Sequence, residues 1–216
     1  MPSSVENIRI KVPGLAKEIL GKDKVMNSLL SEVMPSFPPS KCDVYLDLIE
    51  AIVYQQISIK AAMSIFNKIT GFFGGMIPPP NELSSVPHDE LRGLGLSNQK
   101  ASYLHNIAFF FEDRQLAHSD FIGKTDDEII ALLTEIKGVG VWTAQMILIF
   151  SLGRQDVFPV ADYGVETAMV GLYGIKSDNK KDLQKHMIRK SEKWVPYRTY
   201  GTLLLWGWKR AQMNLC

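Results

Sequence analysis

The chain has 216 residues and a formal net charge of +1, with 24 Lys and Arg against 23 Asp and Glu; 46% of its residues are hydrophobic and 22% charged. That length can bury one substantial core or two small lobes, and that composition is ordinary for a globular protein. No stretch approaches the roughly 20 apolar residues that span a bilayer, and the N-terminus carries no apolar signal segment. No membrane partner is therefore expected, and an intracellular location is, in prokaryotic cytoplasm or a eukaryotic nucleus. The two cysteines, Cys42 and Cys216, are far apart and lack metal spacing. A structural disulfide is not expected, and a four-thiolate iron–sulfur cluster cannot be assembled from two thiols.

Helical periodicity runs through nearly the whole chain and two-residue alternation is sustained nowhere, so the expected fold class is all-α. A first break falls at Pro35–Pro39. Ala62, Ile65, Phe66 and Ile69 then follow the i, i+3, i+4, i+7 pattern of one buried helix face. The triple proline Pro78-Pro79-Pro80 interrupts it. Pro87 with Asp89 and Glu90 suits the first turn of a short helix closed by Gly93. Ala101, Leu104, Ala108 and Phe111 form the apolar face of the next helix. Thr125-Asp126-Asp127-Glu128 is a capping box that opens a helix ending near Ile136, with Ile129, Leu132 and Leu133 on its face. A further break comes at Gly153. There is no internal repeat, low-complexity tract or linker.

The stretch from Leu133 to Ala144 is the most informative. One amphipathic helix ends, a Gly138-Val139-Gly140 turn follows, and an apolar helix starts at once. Glycines admit backbone conformations closed to other residues, and the amides of a helix start carry the positive end of its dipole, a seat for phosphate. An ordinary helix–turn–helix connection accounts for the glycines equally well. About twenty residues later, Pro159 keeps the chain extended up to Asp162, which precedes a helical run with Val165, Ala168 and Met169. Asp is a strong N-cap, and a cap alone would explain it. Residues 176–210 hold ten Lys and Arg against three acids, a surplus of +7. That suits phosphate contact, and it suits a solvated helix face as well.

The pattern L-x-x-I-K-G-V-G-x-x-T-A resembles the helix-hairpin-helix DNA-binding motif. With a Pro-x-x-Asp segment at this distance, the chain resembles the helix-hairpin-helix DNA glycosylase superfamily, and within it the 3-methyladenine DNA glycosylase II family. The likeness runs from about Asp43 to Arg210. Tyr54-Gln55-Gln56-Ile57-Ser58 with Ala61-Ala62 is similar to the family's minor-groove loop. Leu91-Arg92-Gly93-Leu94-Gly95-Leu96-Ser97 with Lys100 is similar to its second DNA-facing turn. Trp194-Val195-Pro196-Tyr197-Arg198-Thr199-Tyr200 and Trp206 are similar to its last helices.

The resemblance implies two helical lobes, 43–152 and 1–42 with 153–216, and an active-site cleft between them. It implies the compact form without an N-terminal β-domain, with a first helix at about Leu15 to Met34. The expected partner is double-stranded DNA with damaged bases, bound by a monomer. Gln56 is then the side chain that fills the gap left by an extruded base, supported by Gln55 and Ser58. Leu96, Ser97, Lys100, Lys137, Gly138, Val139, Gly140, Thr143 and Arg198 are the further DNA-binding candidates. Trp142, Met146, Tyr163 and Trp206 would wall the base pocket. A purine methylated on a ring nitrogen is cationic, so electron-rich walls favour it over a normal base.

Asp162 is the expected catalytic carboxylate, stabilising an oxocarbenium-like sugar during hydrolysis of the N-glycosidic bond. Lyase members carry a lysine two residues after the second glycine; Trp142 stands there, so monofunctional chemistry is expected. No cofactor is required. Family hairpins often hold a monovalent cation, for which the main-chain carbonyls of Thr134, Ile136 and Val139 are the candidates. The same features fit a non-catalytic member that binds abasic or damaged DNA. An unrelated helical domain with a protein-binding hairpin is a third reading, distinguished by binding indifferent to salt.

Overall fold

The computed structural model describes residues 8–9, 11–33, 35–37 and 42–213. In chain order its helices are α1 (Gly14–Leu20), α2 (Lys24–Glu32), α3 (Val44–Tyr54), α4 (Ile59–Phe72), α5 (Pro80–Ser85) and α6 (His88–Gly93). They continue with α7 (Asn98–Asp113), α8 (Asp126–Thr134), α9 (Val141–Met146), α10 (Tyr163–Tyr173), α11 (Lys180–Ser191) and α12 (Arg198–Met213). α9 runs on through one wider turn at Ile147–Ser151, where the Leu152 amide donates to the Ile147 carbonyl. A two-residue antiparallel pairing of β1 (Ile8–Arg9) with β2 (Ser36–Phe37) is the only extended pairing among the described residues. The all-α expectation holds. Among these residues no helix is long and apolar enough to cross a membrane.

The chain divides into two compact units, Ser40–Leu152 and Met1–Pro39 with Gly153–Cys216. In the first, α3 packs against α4, α7 and the 147–151 turn, and α7 also packs against α5. Leu48, Ile49, Ile52 and Val53 of α3 and Leu104, Ile107, Ala108 and Phe111 of α7 are buried, which is what their helical spacing requires. The Tyr45 hydroxyl donates to the Pro78 carbonyl at 3.0 Å, tying the triple proline to α3. Burial pushes its phenol pKa well above the usual range, so it stays a donor. Pro80 then opens α5, where its missing N–H costs nothing. The capping box at Thr125 forms in both directions: the Thr125 amide donates to Glu128 Oε2 at 2.7 Å and the Glu128 amide to Thr125 Oγ1 at 3.3 Å.

In the second unit the expected first helix, Leu15 to Met34, is two helices; Met34 itself lies outside the described residues. The break falls at Gly21–Asp23. Asp23 Oδ1 accepts from the amides of Val25 and Met26 at 2.9 and 3.3 Å and so starts a new helix instead of continuing the old one. The core is built from Leu20, Met26, Leu29, Phe158, Val165, Ala168, Met169, Met187, Trp194, Leu204 and Leu205. Fully buried Trp194 finds its hydrogen-bond acceptor in Asp23 Oδ2, at 3.4 Å.

One aspartate thus caps α2 and satisfies a core indole. Asp23→Ala is expected to lower stability by about 1–2 kcal/mol, with Asp23→Asn losing less because its oxygen still caps. Urea unfolding checks this as a shifted midpoint at unchanged slope.

Candidate active site and nucleic-acid interface

The acid sits on a segment held by α12. The Thr199 amide donates to the Gln155 carbonyl at 3.0 Å, and Thr199 Oγ1 donates to the Arg154 carbonyl at 2.7 Å while accepting from the Val157 amide at 3.0 Å. Thr202 Oγ1 donates to the Val157 carbonyl at 3.3 Å. Arg198 closes the clamp with two prongs on Asp156, Nε to Oδ1 at 2.7 Å and Nη2 to Oδ2 at 2.8 Å. The chain then turns, the Asp162 amide donating to the Pro159 carbonyl at 2.9 Å, and delivers Asp162 to the start of α10.

Asp162 is the N-cap of α10: its Oδ1 accepts from the Val165 amide at 2.8 Å. The same oxygen accepts from Trp206 Nε1, also at 2.8 Å. The carboxylate is half-buried, so the cap and the indole fix its direction without removing it from solvent. Gly164 makes the arrangement fit. A Cβ there would lie 3.0 Å from the Trp206 ring and 3.1 Å from Asp162 Oδ1. Tyr163, beside the acid, is 76% exposed, and Lys209 Nζ lies 6.0 Å from its ring centroid.

In the other unit, α8 and α9 flank the hairpin turn. The Val139 amide donates to the Ile136 carbonyl at 2.9 Å, and Asn106 Nδ2 donates to the Lys137 carbonyl at 2.9 Å. Gly138 has φ +113°, and a Cβ there would lie 2.3–2.7 Å from the Tyr103 ring. Only glycine suits this position on both counts. Lys137 and Gly140 are exposed, and the amides that begin α9 follow directly. On α9, Trp142 is 43% exposed, whereas Met146 is 8% exposed and belongs to the packed interior of its unit.

The Gln55-Gln56 loop lies between α3 and α4. Gln56 is exposed with φ +56°, and Gln55 Nε2 donates to Thr143 Oγ1 at 3.4 Å. Ser58 and Ser97 are both N-caps, accepting from the amides of Ala61 and Lys100 at 3.3 and 3.2 Å. Several DNA-binding candidates are otherwise engaged. Leu96, Val139 and Thr143 are buried at 5%, 5% and 3% exposure, leaving only their main chain for a duplex. Arg198 is the clamp on Asp156, and the Lys100 ammonium donates to two carbonyls of its own unit. Each of these two DNA-binding candidates thus has an oxygen of its own unit as partner, far along the chain, that periodicity does not reveal. In the basic segment Lys180, Lys181, Arg189 and Lys190 of α11 are exposed.

The family described as "HhH-GPD superfamily base excision DNA repair protein" matches residues 49–196, more than two thirds of the chain. This chain belongs to the HhH-GPD superfamily. It is 30% identical over 169 residues to the "Putative DNA-3-methyladenine glycosylase YfjP" of Bacillus subtilis, a match over 76% of this chain and 58% of that protein. The chain thus spans less than two thirds of that relative. A crystal structure of DNA-3-methyladenine glycosidase from Bacillus halodurans superposes with a TM-score of 0.80 at 30% identity, over 97% of this chain and 94% of that one. The fission yeast (Schizosaccharomyces pombe) 3-methyladenine DNA glycosylase Mag1, solved in complex with abasic DNA, superposes at 0.76 and 30% identity, over 89% and 95%.

Within this HhH-GPD chain, Gly164 and Lys209 escape sequence reasoning. A glycine two residues after a cap and a lysine three residues after Trp206 on one helix are the faint signals available. Gly138→Ala is expected to cost about 2–4 kcal/mol from backbone strain and overlap together. Adding Tyr103→Ala should return only the overlap, because φ stays positive. Unfolding midpoints of the single and double variants read both parts; an alanine at 138 without cost would contradict the geometry.

Proposed function

We propose that this chain is a monofunctional DNA glycosylase that hydrolyses the N-glycosidic bond of alkylated purines, with Asp162 as its catalytic residue. The observation that carries the reading is the carboxylate fixed at the start of α10 by the Val165 amide and the Trp206 indole, in a chain of the HhH-GPD superfamily. Its similarity to 3-methyladenine DNA glycosylases supports the substrate class.

The chemistry needs little from the protein beyond a fixed negative charge. Alkylation on a ring nitrogen leaves the base cationic. The bond from C1′ to the base nitrogen breaks, its electron pair neutralises the base, and positive charge appears on the sugar. A carboxylate held in one direction stabilises that charge without reorganising. Water then adds to C1′ and yields its proton to the carboxylate or to solvent. Extrusion of the nucleotide costs a few kcal/mol, and Gln56 on its exposed loop is suited to fill the gap. Tyr163 and Trp206, beside Asp162, are the aromatic candidates for the base; on the other unit the exposed Trp142 is the candidate, and Met146, packed inside that unit, lends it no comparable surface.

The exposed Lys137 and the main chain of residues 138–143 are assigned to backbone phosphate, which dominates affinity for duplex DNA. Trp142 occupies the position of the lyase lysine, so no amine is supplied there for a Schiff base. A monovalent cation on the carbonyls of Thr134, Ile136 and Val139 belongs to the same reading. The Ile136 carbonyl already accepts from the Val139 amide, which leaves it one lone pair for an ion.

Asp162→Asn retains a cap and removes the charge. It is expected to bind an abasic-analogue duplex as wild type does, and to release methylated purines about 10²–10³ times more slowly. Single-turnover release of free bases from methylated DNA checks this. Undiminished release by the variant would refute the role of Asp162; binding without release by wild type would make the chain a damaged-DNA binder.

A further inference from the structure

α3 ends at Tyr54, and the carbonyls of its last turn and of the Gln55 cap have no continuing helix to accept from. Two of them share one donor. Lys100 Nζ, reaching over from α7, lies 2.7 Å from the Val53 carbonyl and 2.6 Å from that of Gln55. Both bonds are charge-assisted, and the ammonium sits where the dipole of α3 is negative. Burial lowers the Lys100 pKa, in keeping with an ammonium turned toward the protein.

What this contact holds is unusual. The residue after Gln55 is Gln56, at φ +56°, in the left-handed region that a long L side chain occupies only when its surroundings dictate it. The peptide between them is fixed at its oxygen by Lys100. The Gln55 side chain is fixed separately, through its bond to Thr143 Oγ1, itself 3% exposed. Residue 55 is thus held through both its carbonyl and its side chain, and the Gln56 that follows is exposed.

We propose that Lys100 is a positioning residue: by fixing the Gln55 carbonyl it holds Gln56 in the left-handed conformation that aims its side chain at the gap left by an extruded nucleotide. This rests on the function proposed above. It differs from phosphate contact, in which Lys100 would add affinity through charge alone.

The test is a double-mutant cycle of Lys100→Met with Gln56→Ala, read as abasic-analogue binding across a salt series and as single-turnover base release, with a melting midpoint for each variant. K100M is expected to lose roughly tenfold in both readouts, and the Q56A/K100M pair to be no worse than Q56A alone. The salt slope of binding should be unchanged, and Lys100→Arg, which can donate to the same two carbonyls, should restore most of the loss. Losses that multiply, or a slope reduced by about one, would overturn the assignment and make Lys100 a phosphate contact. Thr143→Val, which cuts the second tie on Gln55, runs through the same cycle if K100M does not fold. A wild type that neither prefers the abasic analogue nor releases bases fails the proposed function itself; multiplicative losses in an active protein fail only the positioning role.

Discussion

The hydrogen bond from the Trp206 indole to Asp162 is the interaction around which the candidate site of its unit is built. A half-buried carboxylate could turn about its side-chain torsions. At 2.8 Å the indole N–H, together with the Val165 amide at the same distance, removes that freedom. Bonds to a charged acceptor are worth roughly 1.5–3 kcal/mol, enough to fix one rotamer. The geometry requires Trp206 to lie against the first turn of α10, and Gly164 leaves it the room. It also requires the start of α12 to be registered against the chain that leads into Asp162. Thr199, Thr202 and Arg198 do this through residues 154–157. One helix therefore fixes both the approach to the acid and the acid's direction.

The other unit uses the same device with opposite polarity. There a cation from α7 fixes the backbone at the end of α3, and a buried threonine fixes the adjacent side chain. In both places a side chain from a distant element satisfies main-chain or carboxylate oxygens that local structure leaves over. A loop fixed in this way loses little further entropy on meeting a partner, which is the general benefit of preorganisation. Gly138 shows the limiting case. Its positive φ and the Tyr103 ring packed on it leave the hairpin turn a single shape.

Local signals were legible. The periodic faces of α4, α7 and α8, the capping box at Thr125, the break at Gly153 and the cap at Asp162 all depend on residues within one or two turns of each other. The break at Gly21–Asp23 was a local signal too, but the apolar residues on either side mask it. Partner choice was not legible. In the sequence Lys100 and Arg198 are only DNA-binding candidates, because their acceptors within the chain lie 47 and 42 positions away and no periodicity connects them. Leu96 and Thr143 are DNA-binding candidates there too, yet both side chains are buried, Thr143 within α9 itself. The acid could be placed at a helix start; that an indole 44 positions later would hold it could not.

On the proposed function, the pocket must also prefer a cationic base, and its aromatic residues are not equivalent in this respect. Tyr163 has the Lys209 ammonium 6.0 Å from its ring centroid, at the outer range of a cation–π contact. A second cation on that ring meets like charge, so Tyr163 offers shape and stacking more than charge selection. Trp206 is the reverse. Its N–H donates to a carboxylate, and such a bond polarises the donor, moving electron density into the indole π-system. A more negative face binds a cation better, and the carboxylate adds its own attraction. On that reading, the contact that fixes Asp162 also makes Trp206 the ring best suited to a charged base, and would couple recognition of the lesion to the group proposed to remove it.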